Sequence, residues 1–465
     1  MIENIINDLT VKPKFIHNDF SDFKPGKTPV FYSGPYWDDE EVKMALKGFL
    51  TGKWLSSGEY VYKFEKKFVK KFNTKYGVMV NSGSSANLVM IGAIKKVLNW
   101  SDGDEIIVSP VGFPTTIAPI VQHNLVPVFI DIEFDTLNFD VDLIEKKISH
   151  KTKAIFLSPV LGNPPNMDKL MKLCEKYGVE MILDGCDSLG TKWEDKLLVE
   201  YSLAWSNSFF PSHHITTGEG GMVSSNNAEI ISTARSMAWW GRDCYCVGPA
   251  NLLPNGSCGN RFDNWLPNYD GVMDHKYIFT NLGYNLKPLD FQGAIGLAQM
   301  GKVDEIHVKR RNAKKVLSKI IEDNLDVYVP KELDKAETSW FGTPIVCENK
   351  EYKTKLVNHF EKHRIELSFF AHMMLDEYEK RSYGYHPSSN SLITENNSSN
   401  HNLTLINKAQ HLDPPLIPLP YPSLQIKVTS LPLLKQIAML NVSFESIRQP
   451  ISQHQITMKH FFLEY

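Results

Sequence analysis

Apolar residues in this chain recur with two different periods. Between about residues 75 and 235, short β-branched or apolar runs (YGVMVN, DEIIVSP, LVPVFIDI, TKAIFLSP, VEMILDG) alternate with stretches such as 85–98 and 167–177, where apolar residues return every three or four places. The runs have the length of strands and the longer stretches the period of helices. Their alternation predicts parallel strands joined by right-handed helical crossovers, a doubly wound α/β sheet whose ligand site lies at the carboxyl ends of the strands. Further helices are predicted over 38–50, 61–72, 228–237 and 289–311. The last begins after Pro288 and carries an apolar face of Phe291, Ala294, Ile295, Ala298 and Met300.

That last helix leads towards a second unit near residue 325. The expected division is a large domain over 1–325, with an N-terminal arm over 1–35, and a smaller C-terminal α/β domain over 326–465. The final 85 residues change character. Residues 381–465 hold only ten charged side chains, with Ser/Asn clusters at 388–391 and 396–402 and the stretch DPPLIPLPYP. Neither period is sustained there.

Composition adds exclusions. With 42% apolar and 22% charged residues the chain is ordinary globular material. A formal charge of -3 with no long run of like charges gives no reason to expect nucleic acid or an anionic membrane as partner, so a small molecule is the expected ligand. The opening MIENIINDLTVKPKF lacks a basic segment followed by an apolar core, and no eighteen apolar residues run together, which predicts a soluble cytoplasmic protein. Six cysteines are too few for a disulfide scaffold, and Cys244, Cys246 and Cys258 cluster as metal ligands do.

Three segments carry candidate chemistry. VNSGSSANLVM puts Ser82, Gly83, Ser84, Ser85 and Ala86 between a strand and a helix, where free N–H groups and the helix dipole favour a phosphate; a plain N-cap turn reads the same way. The strand EMILDG ends on Asp184, either a capping carboxylate or the anion that keeps a pyridine ring protonated. SNSFFPSHHITTGEGGMVSS follows a strand end with His213, His214 and a turn over 216–221. In this order and spacing, the three are jointly far more specific than any one.

Together with GKWLSSGEYVYKFEKKF, SPVGFPTTIAPI, LDGCDSLGT and LGYNLKPLDFQGAIGLAQ, these segments resemble the DegT/StrS (DegT/DnrJ/EryC1/StrS) sugar aminotransferases over residues 30–366. The resemblance implies a fold-type I pyridoxal-phosphate enzyme. In members that transaminate, a lysine occupies the position of His213 and forms a Schiff base with the cofactor. Imidazole cannot do so, but it moves protons near neutral pH. The cofactor is then expected to be pyridoxamine 5'-phosphate, held without a covalent bond. The resemblance assigns Ser84 and Ser208, with Gly83 and Ser85, to its phosphate and Asp184 to its ring nitrogen. Phe113 and Asp187 would flank the ring, and Asn285 would reach the phosphate of a neighbouring subunit, implying a homodimer.

Two branches of that family carry histidine here: a cluster-free GDP-4-keto-6-deoxymannose 3-dehydratase, and a CDP-4-keto-6-deoxyglucose 3-dehydrase with a [2Fe–2S] centre. Cys186, Cys244, Cys246 and Cys258 are separated by 57, one and eleven residues. The first two intervals match the iron–sulfur branch and the third is four residues longer. An insertion at 248–255 accommodates this, because a flexible loop costs about 0.6 kcal/mol per doubling in length. Four thiolates suit such a cluster; zinc and four core cysteines are the competing readings. Cys174 and Cys347 read as core residues.

The resemblance implies that His213 takes a proton from the cofactor's aminomethyl carbon while the sugar's 3-hydroxyl leaves, and that an NADH-dependent flavin iron–sulfur reductase supplies two electrons. The product would serve 3,6-dideoxyhexose and O-antigen (lipopolysaccharide) biosynthesis. An aminotransferase using another lysine, and an inactive relic, are the remaining alternatives. The relic follows from the C-terminal region, where Leu367, Ser368, His372 and Met373 replace the family's Thr, Arg, Gly and Asn. A frame-altered tail and a divergent small domain both account for that break.

Overall fold

The computed structural model describes residues 2–10, 24, 27–31, 33–243, 258–263, 266, 268–367 and 423–426. At its centre is a seven-stranded sheet. In chain order its strands are β1 (Tyr76–Val80), β2 (Glu105–Val108), β3 (Val126–Phe129), β4 (Thr152–Leu157), β5 (Glu180–Asp184), β8 (Ala204–Ser208) and β9 (Gly221–Ser225). They lie side by side as β1-β9-β8-β5-β4-β2-β3. The pairs β2/β3, β2/β4, β4/β5 and β5/β8 are parallel, as the apolar runs predict.

The exception is β9, antiparallel to both β8 and β1. Parallel neighbours need a long crossover, usually helical, whereas antiparallel ones can be joined by a short return. The helix-free loop 209–220 makes that return, so the segment bearing His213 stays at the carboxyl end of β8.

Helices α2 (Asp39–Thr51), α3 (Glu59–Lys71), α4 (Gly83–Val97), α5 (Pro114–Gln122), α7 (Met167–Tyr177) and α8 (Ala228–Ala238) accompany the sheet; α1 (Ile2–Asp8) and α6 (Val141–Ile144) are short. One face of the sheet buries Phe64, Phe68, Trp205 and Phe209, with the Phe68 and Trp205 rings stacked at 5.4 Å. The other buries Val78, Val80, Met90, Ile91, Ile106 and Phe156. Each such fully buried side chain contributes about 1.5–3 kcal/mol relative to exposure.

The helix expected to stop near residue 311 runs on to form Asp290–Asn324. Its apolar positions continue at a spacing of four through Ala313, Leu317 and Ile321. These pack with Ile345, Leu356, Phe360 and Ile365 in a separate core that includes Val30. At its other end the helix holds the start of α2. Glu41, fully buried, accepts from Gln299 Nε2 at 2.7 Å and Lys302 Nζ at 2.8 Å, and also caps the Asp38 N–H.

Short strands β6 (Lys192–Trp193), β7 (Lys196–Leu197) and β10 (Ala336–Glu337) form a small side sheet. Strand β11 (Thr343–Val346), followed by the helix Lys350–Lys362, pairs antiparallel with β12 (Ser423–Ile426). The final region therefore supplies one strand that its irregular polarity does not predict. Residues 368, 372 and 373 lie outside the described residues. No described helix is long and apolar enough to cross a membrane.

Candidate active site

The carboxyl ends of β1, β5 and β8 and the start of β9 meet at one edge of the sheet. Ser82 caps α4 by accepting from the Ser85 N–H at 3.1 Å, so the first turn of α4 points its remaining N–H groups out of the helix end. Gly83 is needed there because a Cβ would lie 2.5 Å from Ser208 Cβ. Gly221 has the same reason: its Cβ would strike the Ser82 carbonyl. These contacts bring Gly83, Ser84, Ser85 and Ser208 together in one cradle of N–H and hydroxyl groups. Ser84 Oγ donates to Thr115 Oγ1 at 3.1 Å, and Ser208 Oγ accepts from the Phe210 N–H at 3.3 Å.

Asp184 ends β5 and is only 4% exposed. Its Oδ2 accepts from Asn87 Nδ2 at 2.8 Å and Thr116 Oγ1 at 2.7 Å; its Oδ1 accepts from the Cys186 N–H at 3.2 Å. Ser206 Oγ is 3.4 Å from that Oδ1 but 2.6 Å from Asn87 Oδ1, and its single proton goes to the shorter contact. Asp184 Oδ1 thus keeps an acceptor position, which a protonated pyridine nitrogen requires. None of Asn87, Thr116 and Ser206 stands out in the sequence, because each earns its role only through a contact made by folding.

His213 follows β8 in the loop closed by β9. Its Nδ1 is 3.6 Å from Asp187 Oδ1, and its ring stacks on Phe341 with centroids 4.8 Å apart and planes 30° from parallel. Phe341 lies far away in the sequence, inside the unremarkable TSWFGTP. His214 is the more buried of the pair, its ring 6.4 Å from the same Phe341 ring. It is 2% exposed and its Nε2 meets the Ser339 carbonyl; burial, then the Arg310 charge, holds its pKa well below the usual histidine value. Such a ring stays neutral and braces the loop. Phe113, at the N-cap of α5, is 66% exposed, as a ring awaiting a stacking partner would be.

Other expected residues divide. Cys186, beside Asp184, is an unbridged thiol pushed well above its usual pKa by burial and then by that carboxylate; a bound cation would reverse this. Cys258 is also unbridged, while Cys174 and Cys347 are buried among apolar residues. Cys244, Cys246 and the insertion at 248–255 lie outside the described residues, among which no group of three or more possible metal ligands is found. Asn285 is exposed and bridges to Trp239, and the next carbonyl, that of Leu286, accepts from the Asn81 N–H at the end of β1.

Comparison with known proteins gives the family. The chain is 36% identical to the lipopolysaccharide biosynthesis protein RfbH of Salmonella typhimurium, over 70% of this chain and 74% of that protein. It is 34% identical to dTDP-4-dehydro-2,6-dideoxy-D-glucose 3-dehydratase of Saccharopolyspora spinosa, over 74% of each. The solved structure of E. coli GDP-4-keto-6-deoxy-D-mannose-3-dehydratase with bound hydrated PLP superposes with a TM-score of 0.72 at 27% identity, covering 89% of this chain and 99% of that one. The fold is that of PLP-dependent sugar aminotransferases and dehydratases. The profile of these enzymes matches residues 37–402, well past Glu366, where the recognisable motifs stop. The chain belongs to the DegT/DnrJ/EryC1/StrS aminotransferase family.

Proposed function

We propose that this protein removes the 3-hydroxyl of a nucleotide-linked 4-keto-6-deoxyhexose, using pyridoxamine phosphate and His213 as the proton-transferring group. The observation that carries the proposal is the placement of His213. The loop 209–220 contains no lysine, and its imidazole lies between Asp187 and Phe341 at the strand edge that holds Asp184. The residues present suit the cofactor: the cradle of Gly83, Ser84, Ser85 and Ser208 suits a phosphate, the open acceptor on Asp184 suits a protonated ring nitrogen, and exposed Phe113 suits a ring face. When bound, the cofactor supplies an electron sink. Asp184 keeps that sink charged, Asp187 orients the imidazole, and the Phe341 ring limits its rotation and excludes water from one face.

The finer reading is a CDP-4-keto-6-deoxyglucose 3-dehydrase of 3,6-dideoxyhexose and O-antigen assembly, acting in the cytoplasm with a [2Fe–2S] cluster and an NADH-dependent flavin reductase. Its supports are the spacing of Cys186, Cys244, Cys246 and Cys258 and the similarity to a lipopolysaccharide biosynthesis protein. Cys186 and Cys258, both unbridged, are free to ligate, and a cluster next to Asp184 would supply single electrons beside the cofactor. A homodimer is supported by the exposed Trp240, Tyr277, Phe279, Leu282 and Tyr284 around Asn285, an apolar face that a second copy would cover. A second unit is supported by the separate core of Val329, Ile345, Leu356 and Phe360, which also takes in Val30, Ala313, Leu317 and Ile321 from before residue 325. A second reading, the cluster-free GDP-4-keto-6-deoxymannose dehydratase, is favoured by the structural likeness to that enzyme.

Anaerobic purification with iron, sulfide and zinc assays, followed by turnover of the CDP- and GDP-linked keto-sugars by the PMP-loaded enzyme, tests both. Iron, sulfide and reductase-dependent turnover of the CDP sugar support the first. Turnover of the GDP sugar without iron selects the second. Amino-sugar formation from L-glutamate would refute both.

A further inference from the structure

Arg310, on the helix Asp290–Asn324, is 5% exposed. Burial pulls its pKa down to about 10, which leaves it charged at neutral pH, and Asp187 opposes the shift. A buried cation costs several kcal/mol unless its donors are satisfied. Here main-chain carbonyls satisfy both terminal nitrogens, and among the described residues Nε alone of the guanidinium nitrogens has no partner. Nη2 donates to the His213 carbonyl at 2.9 Å and the Ser212 carbonyl at 3.4 Å; Nη1 donates to the Trp340 and Phe341 carbonyls, both at 3.3 Å.

Those four carbonyls belong to the two segments that meet at the imidazole. One bears His213 and the other bears the ring stacked upon it. A planar guanidinium holds both backbones in one rigid fork, and thereby sets the separation of the two rings and the direction of the imidazole. The contact of His214 Nε2 with the Ser339 carbonyl is a second tie between the same segments. If packing alone were needed, an apolar side chain of similar length would serve without desolvating a charge.

We propose that Arg310 is a positioning residue, which aims His213 by clamping the base-bearing loop to the segment that carries Phe341. This inference rests on the assignment of His213 as the proton-transferring group. A displacement of about 1 Å in such a group costs about 10²-fold in rate. Lysine offers donors without the fork and should reach only part of the carbonyl set.

The test uses full-length, PMP-loaded enzyme with Arg310→Met and Arg310→Lys, and two readouts. The first is the ring-current shift of the His213 imidazole protons in NMR, which reports stacking on Phe341 whatever the reaction is. The second is kcat against KM and cofactor affinity, with CDP-4-keto-6-deoxyglucose and GDP-4-keto-6-deoxymannose as substrates. For Arg310→Met the expected result is loss of the ring-current shift and about 10²-fold lower kcat, with KM and cofactor affinity within about threefold of wild type. Arg310→Lys should recover part of both. An unchanged shift and kcat, or a fall in kcat accompanied by a rise in KM and a loss of cofactor affinity, overturns the proposal. Where Arg310→Met yields no soluble protein, Phe341→Leu decides: it should lower kcat alone, and an unchanged kcat overturns the proposal. His213→Asn with full kcat would overturn the base assignment instead, a result neither Arg310 readout can produce.

Discussion

The two walls of the candidate site are built by different means. The carboxylate wall is made of side chains: Asp184 is gripped by Asn87 from α4 and Thr116 from α5, with Ser206 of β8 locking Asn87 in turn. The base wall is made of backbone and rings, with His213 stacked on Phe341 and its loop braced by His214. A group that must keep one charge is best set among buried, fully satisfied partners. A group that must gain and lose a proton needs a defined direction, and stacking provides that.

Replacing His213 should break the base wall most severely. In His213→Lys we expect dehydration to fall by about 10²–10⁴-fold, while PLP becomes attached to the protein in a borohydride-reducible linkage seen by mass spectrometry. Full-rate dehydration by this variant would remove His213 from the mechanism. Cys244→Ser tests whether a redox centre adjoins the carboxylate wall: iron and the brown absorbance of anaerobically purified protein should disappear together. Wild-type protein holding zinc and no iron would dismiss the cluster.

Behind the base wall, His214 and His307 are both neutral through burial, with the His307 pKa pulled down to about 3. Their folded pKa values lie below the unfolded one near 6.5, so the unfolded chain binds the extra protons and stability falls as pH drops below about 6.5. For His307 the loss between pH 7 and 5 should be on the order of 2 kcal/mol, measured by urea unfolding, and His307→Gln should remove it. No difference in slope would contradict the burial argument. On the carboxylate wall, Asn87→Ala leaves Asp184 and Ser206 each short of a partner and should cost about 1–3 kcal/mol of stability. Asp187→Asn, at a partly exposed position on the base wall, should change stability by no more than about 0.5 kcal/mol, and a larger loss would blur the contrast between the walls.

The carboxylate wall was more legible in the sequence than the base wall. Asp184 closes an apolar run and the serines of VNSGSSANL stand between a strand and a helix, so local pattern alone points at them. Asn87 lies within VNSGSSANL and Thr116 within SPVGFPTTIAPI, yet neither carries a local signal, since their roles appear only when α4 and α5 converge on β5. Phe341 had no signal at all, because its contact with His213 joins distant parts of the chain. The fold divides likewise. The alternating runs foretold the parallel strands, whereas β9 reads as one more apolar segment and its direction depends on the loop before it. The long helix outran its expected end because Ala313, Leu317 and Ile321 face a different core from Met300, Val303 and Ile306.

The pairing of β11 with β12 has a consequence of another kind. Thr343–Val346 is buried along its whole length, and among the described residues its ladder partner is the strand at 423–426. A chain ending at Glu366 would present that row of N–H and C=O groups to any other extended segment, as a template for intermolecular pairing. The strand at 423–426, whatever it adds to turnover, thus covers an edge that would otherwise stand open.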